Sequence, residues 1–180
     1  MIKFRPQRLL CLVCLCGFVF AAVPGVWLDV PFIKQEKDGC GAASIAMVMQ
    51  YWLNKQTKPL NADSDAIAIQ RVLYSSKDHG IRASDLENYF QQHNFQTFAF
   101  AGKWDDLKQH IAKGRPLIVA LKPSSLETQL HFVVVVGVDP AENIVYLNDA
   151  AERKLLKQDR AGFEKQWKAV KQWTLLALPE

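Results

Sequence analysis

Apolar residues recur along this chain in two rhythms. From Gly41 to Trp52, Ile45, Val48, Met49 and Trp52 fall at helical spacing. That spacing predicts a helix with a core face, and Ala42, Ala43 and Ala46 leave room on it for a close neighbour. Asp38 is expected to cap this helix, which puts Cys40 in its first turn. A weaker helical rhythm covers Ala62 to Tyr74, capped by Asp63 or Ser64. Ser84-Asp85-Leu86-Glu87 reads as a capping box opening a third helix, stopped at Asn94. Trp104 to Lys113 is helical and closed by Gly114, and a last helix runs from Gly162 to Val170. Strands are predicted at Phe95 to Phe100, Pro116 to Lys122, His131 to Val138, Ile144 to Asp149 and Trp173 to Leu178. Val30 to Ile33 forms a short extended lead-in, since Pro31 biases Val30 away from helix. Helices come first and strands later, so the fold class is α+β with a mainly antiparallel sheet. No linker or low-complexity segment divides the chain, and residues 27–180 read as a single domain.

Composition changes this picture at the N-terminus. The chain has 180 residues, 49% of them hydrophobic, enough to bury a core. Lys3, Arg5 and Arg8 precede an apolar run from Leu9 to Ala22, shorter than the roughly 20 residues that span a bilayer. A basic start, a short apolar stretch and small residues at its exit read as a signal peptide, residues 1–21, cleaved after Ala21. Much of the formal charge of +4 leaves with it. The nearly neutral remainder argues against nucleic acid and anionic membranes as partners. No integral membrane segment is expected after signal removal, and the expected location is exported, periplasmic or extracellular. Cys11, Cys14 and Cys16 lie in the apolar run and read as filler, so Cys40 is the one cysteine of the mature chain.

Cys40 sits between Gly39 and Gly41 at an expected helix start, where a thiolate is favoured. A nucleophilic thiolate needs a base. His93 shares a helical face with Leu86, Tyr89 and Phe90 and reads as a packing residue. His110 lies on a polar helix and reads as solvated, and His79 lies in the turn Asp78-His79-Gly80. His131 opens a strand of almost pure valine, an odd place for a polar ring unless the strand end meets a cleft. With the hairpin turn at residues 139–143, Val138 faces Ile144 and Val133 faces Asp149. His131 is then a diagonal neighbour of Asp149 on one sheet face, within reach of its carboxylate. Asp139 is the rival, but Asp139-Pro140 is ordinary turn chemistry. An oxyanion needs donors, and the Cys40 N–H and the Gln35 amide are candidates. HExxH, GxSxG, GxxxxGK[ST] and GxGxxG are absent from the sequence, and neither a metal nor another cofactor is expected.

The run Gln35-Glu36-Lys37-Asp38-Gly39-Cys40-Gly41-Ala42-Ala43-Ser44-Ile45-Ala46-Met47-Val48 resembles the nucleophile segment of the bacteriocin-leader-processing cysteine peptidases, papain-like enzymes that cut after double-glycine leaders. His131 to Asp139 is similar to their histidine segment, and Tyr146-Leu147-Asn148-Asp149-Ala150 to the segment bearing their aspartate. Phe163, Trp167 and the final strand resemble stand-alone members of the family. The resemblance implies a papain-like fold, with Cys40 as nucleophile, His131 as base, Asp149 as orienter and Gln35 in the oxyanion hole. It also implies hydrolysis of a peptide or protein substrate through an acyl-enzyme, after small residues such as Gly-Gly, with a separate export system as a partner. A non-catalytic peptide-binding domain and a cell-wall amidase or transpeptidase of the same fold are the alternatives.

Overall fold

The computed structural model describes residues 25–122 and 130–180; the expected signal peptide lies outside them. A short strand β1 (Val26–Trp27) leads into helix α1 (Cys40–Lys55). After it come a 3-10 turn (Ala62–Ser64), α2 (Ala66–Leu73) and α3 (Ala83–Gln92). Strand β2 (Phe95–Ala101), α4 (Trp104–Ala112), β3 (Leu117–Leu121), β4 (His131–Asp139), β5 (Ile144–Asn148), β6 (Leu156–Asp159), α5 (Arg160–Lys168) and β7 (Trp173–Pro179) complete the fold. The sheet runs in the order β2-β7-β3-β4-β5-β6, with β1 paired to β4, and all its pairings are antiparallel. The expected α+β class is what forms.

The valine run of β4 follows from its place. Helices cover both faces of the sheet centre, so successive residues are buried in opposite directions. Phe132, Val134 and Val136 pack in one cluster with Ile45, Met47 and Phe90 of α1 and α3. Val133, Val135 and Val138 pack in a second cluster with Leu107, Phe163 and Trp167 of α4 and α5. Both clusters are essentially dry, which makes this strand the axis of the molecule.

Three expected helix starts are corrected. The residue that caps α1 is Gly39, with no side-chain hydrogen bond, and Asp38 instead adopts φ 56° with its carboxylate accepting from the Tyr74 hydroxyl at 3.4 Å. The second helix is broken at Asp65, whose extended backbone ends the 3-10 turn and whose side chain caps α2 by accepting from the Ala68 N–H at 2.8 Å. Asn61, not Asp63 or Ser64, caps the 3-10 turn. The third helix begins one residue before Ser84, at Ala83 after Arg82, so Ser84 lies inside the helix and no capping box forms there. Asn94 ends α3 as expected, in a left-handed conformation at φ 62°. Strands β1 and β6 were not legible in the sequence: one has two residues, and the other, Leu-Lys-Gln-Asp, is too polar to read as strand.

The β4–β5 register is split. At the end near His131, Val134 pairs with Asn148 and Val135 with Leu147, the pairing expected from the turn. At the turn itself Asp139 pairs with Ile144 and Val138 with Val145, one residue off that expectation. A bulge between Val135 and Gly137 absorbs the difference. Strand β1 lies tightly against β4 there, where a Cβ on Gly137 would fall 2.7 Å from the Trp27 Cβ.

Candidate active site

Cys40 is the first residue of α1 and only 7% exposed. Its Sγ lies 4.0 Å from the carbonyl oxygen of Leu130, the residue before His131. The helix start and the start of β4 are thus held together. No side chain occupies the α1 N-terminus, so its first-turn N–H groups are not consumed by a cap.

His131 opens β4, and Asp149 follows β5 on the neighbouring strand. The His131 Nε2 lies 2.9 Å from both Asp149 oxygens. With Nε2 committed to the carboxylate, Nδ1 is the ring nitrogen left for Cys40. Asp149 is itself held: its Oδ1 accepts from the Ala151 N–H at 3.0 Å, and its N–H donates to the Arg153 carbonyl at 3.2 Å. Burial of the imidazole pulls its pKa down. Hydrogen bonds to Asp149 and Cys40, with the charges of both, outweigh that and raise it to about 10. A ring so placed keeps its proton at neutral pH.

Gln35 reaches the same region through its backbone. Its N–H donates to the carbonyl of Ala150, next to Asp149, at 3.0 Å. Its side-chain Oε1 is buried with no hydrogen-bond partner. An unsatisfied buried amide in a well-packed fold calls for a reason, and here it belongs to an expected site residue.

The other histidines sort differently. His93 packs as expected, its ring stacked on Tyr89 at 4.1 Å between centroids and its Nδ1 2.7 Å from the Tyr89 carbonyl. His110 is not solvated as expected: it is half-buried beside Phe100, its Nδ1 is buried without a hydrogen-bond partner, and burial together with Arg115 and Lys113 lowers its pKa. Asp139 is turn chemistry as read, accepting from the N–H groups of Ala141 and Glu142.

Two features were missed. Asn148 is fully buried, donates to the Val30 carbonyl at 3.1 Å and accepts from the Leu155 N–H at 3.1 Å. It ties the lead-in to Gln35, the end of β5 and the turn after Asp149 into one unit. An amide beside Asp149 was its only sequence signal. The segment from Lys77 to Ala83, which leads into the start of α3, walls a cavity that Cys40 also lines. Its polar composition gave no hint of this. Among the described residues no cluster of His, Cys, Asp and Glu could hold a metal, and no helix is long and apolar enough to cross a membrane.

The fold is shared with solved structures at low sequence identity. A putative C39-like peptidase from Bacillus anthracis superposes with a TM-score of 0.63 at 18% identity, covering 88% of this chain and 99% of the other. A double glycine motif protease from an AMS/PCAT transporter, solved with its leader peptide, gives 0.62 at 22% identity and the same two coverages. Xylellain, a cysteine protease from Xylella fastidiosa, gives 0.60 at 13% identity over 89% of this chain and 87% of its own. No curated protein is similar enough in sequence to match. The sequence model of the Peptidase_C39 like family matches residues 27–174, which takes in α1, β4 and β5 with Cys40, His131 and Asp149. This chain belongs to the Peptidase_C39 like family.

Proposed function

We propose that this protein is an exported cysteine peptidase with Cys40, His131 and Asp149 as its catalytic triad. The observation that carries the reading is His131, its Nε2 held by both Asp149 oxygens while Cys40 raises its pKa from the other side. The Cys40 thiolate attacks the scissile carbonyl carbon, and the carbonyl electron pair moves onto oxygen. The Cys40 N–H and the Gln35 amide donate to that oxyanion. Collapse breaks the C–N bond, and the leaving amine takes the proton from His131 Nδ1. Water then gives a proton to His131 and attacks the thioester, releasing the acid and the thiolate. Asp149 keeps the ring oriented and balances its charge throughout.

The double glycine motif protease among the structural relatives favours substrates cut after small residues such as Gly-Gly. The basic and apolar N-terminus supports export to the periplasm or outside the cell.

The test is incubation of the full chain with peptides containing an internal Gly-Gly, beside Cys40→Ala. Cleavage by the parent and none by the variant, with matching circular dichroism, is expected. Undiminished cleavage by Cys40→Ala would sink the assignment. Peptides that bind and emerge uncut would favour a binding domain, and release of muropeptide fragments from peptidoglycan in a parallel incubation would favour a cell-wall enzyme.

A further inference from the structure

Cys40 lines a cavity of about 470 Å³. Its floor is apolar, made by Ile81, Leu130 and Phe132. Its wall is the segment from Lys77 to Ala83, which is braced internally. Ser75 and Gly80 pair backbone to backbone at 2.9 and 3.3 Å. The Asp78 carboxylate accepts from the Ser75 hydroxyl at 2.6 Å and from Arg82 Nε at 2.8 Å. The one acid of the wall is therefore spent on holding the segment. Lys77 makes no ion pair among the described residues, and the Arg82 side chain is 55% exposed with only part of its donor set used by Asp78. The wall beside the nucleophile thus has an excess of positive charge above an apolar floor.

We propose that this cleft seats the substrate residues next to the scissile bond and selects peptides carrying an aspartate or glutamate there, with Lys77 and Arg82 as the cationic wall. The inference rests on the peptidase reading and adds a substrate class to it. An acidic side chain lays its methylenes on Ile81 and Phe132 and its carboxylate toward Lys77. A basic side chain in that place meets Lys77 and Arg82, while the Asp78 carboxylate is already held by Ser75 and Arg82. Exposed ion pairs are individually weak, so the preference is a bias within a cleavable set.

The experiment uses a pool of proteome-derived peptides. One portion is incubated with the full chain, and the new ends are read by mass spectrometry. Another is passed over immobilised full-length Cys40→Ala, and the retained peptides are read. Expected is an enrichment of Asp and Glu near the new ends of about threefold, the size of one exposed ion pair. The retained pool should show the same bias, and Lys77→Glu should abolish or invert it in both. Cleavage without acidic enrichment, or enrichment unchanged in Lys77→Glu, overturns the inference and leaves the peptidase reading standing. Acid-biased retention that depends on Lys77, with no cleavage by the parent chain, upholds the cleft and overturns the peptidase. Neither cleavage nor biased retention overturns both.

Discussion

His131 is under two opposing demands. Its burial favours the neutral ring, while Asp149 and Cys40 favour the charged one and prevail. The consequence for stability has a definite sign. Unfolded, the ring titrates near 6.5; folded, near 10. Between those values the folded chain binds more protons than the unfolded one. The stabilisation is therefore complete below about 6.5 and is lost as the pH rises through about 10. Guanidinium unfolding midpoints of the parent should fall over that window, and those of His131→Phe should fall less; parallel curves would show that His131 is not the cause. Asp149→Asn removes the charge that holds the imidazolium while keeping the shape. It should lower kcat/KM by about a hundredfold or more, the usual scale for losing a general-base partner. Iodoacetamide should also label Cys40 in that variant more slowly at neutral pH, as read by mass spectrometry at that residue; equal labelling would contradict the pairing. These candidates were legible because each stood out from its surroundings: a thiol between glycines, a ring at the head of a valine strand, an acid at the end of the next one.

At the scale of elements, α1 shows why local rules mispredicted a cap. An Asp38 carboxylate at the helix start would occupy the N–H groups that the proposed reaction needs for its oxyanion. Gly39 leaves them open, at some cost in helix stability. Asn148 works between elements. It is fully buried and bonded to two other segments, so Asn148→Ala leaves buried backbone groups unsatisfied. A loss of about 1–3 kcal/mol is expected in chemical denaturation, with a fall in kcat larger than any change in KM because Asp149 and Gln35 lose their common anchor. A stability loss with kcat intact would reduce Asn148 to a packing role. Gly137→Ala should also destabilise, by about 1–3 kcal/mol, because its Cβ would meet the backbone of β1 as well as Trp27. A melting temperature equal to the parent's would show that β1 contributes little.

For the whole molecule, the proposed export sets a count that can be checked. Cleavage after Ala21 removes Cys11, Cys14 and Cys16 and leaves Cys40 alone. The exported chain should begin at Ala22 on N-terminal sequencing and show one thiol by titration after denaturation. A mature chain beginning at Met1, or one with several thiols, would refute processing. Among the described residues Cys40 is the one cysteine, and after that cleavage it would have no internal partner for a disulfide.

Patterns of residue type along the chain determined the α+β class, most of the helices and strands, and the candidates Gln35, Cys40, His131 and Asp149. These readings rest on local spacing, which side-chain burial enforces along each element. The pairing of β4 with β5 expected at the His131 end is the one that forms, although the turn itself is a residue off and a bulge restores the register beyond it. Sequence could not supply the bulge that shifts the turn end by a residue, which lies where β1 pairs with β4. Nor could it supply the cleft beside Cys40, whose wall comes from the segment before α3 and whose floor comes partly from β4. Contacts between segments so far apart in sequence are decided only when helices and sheet pack. The candidate nucleophile could thus be read from the sequence, while the walls around it came from the tertiary structure.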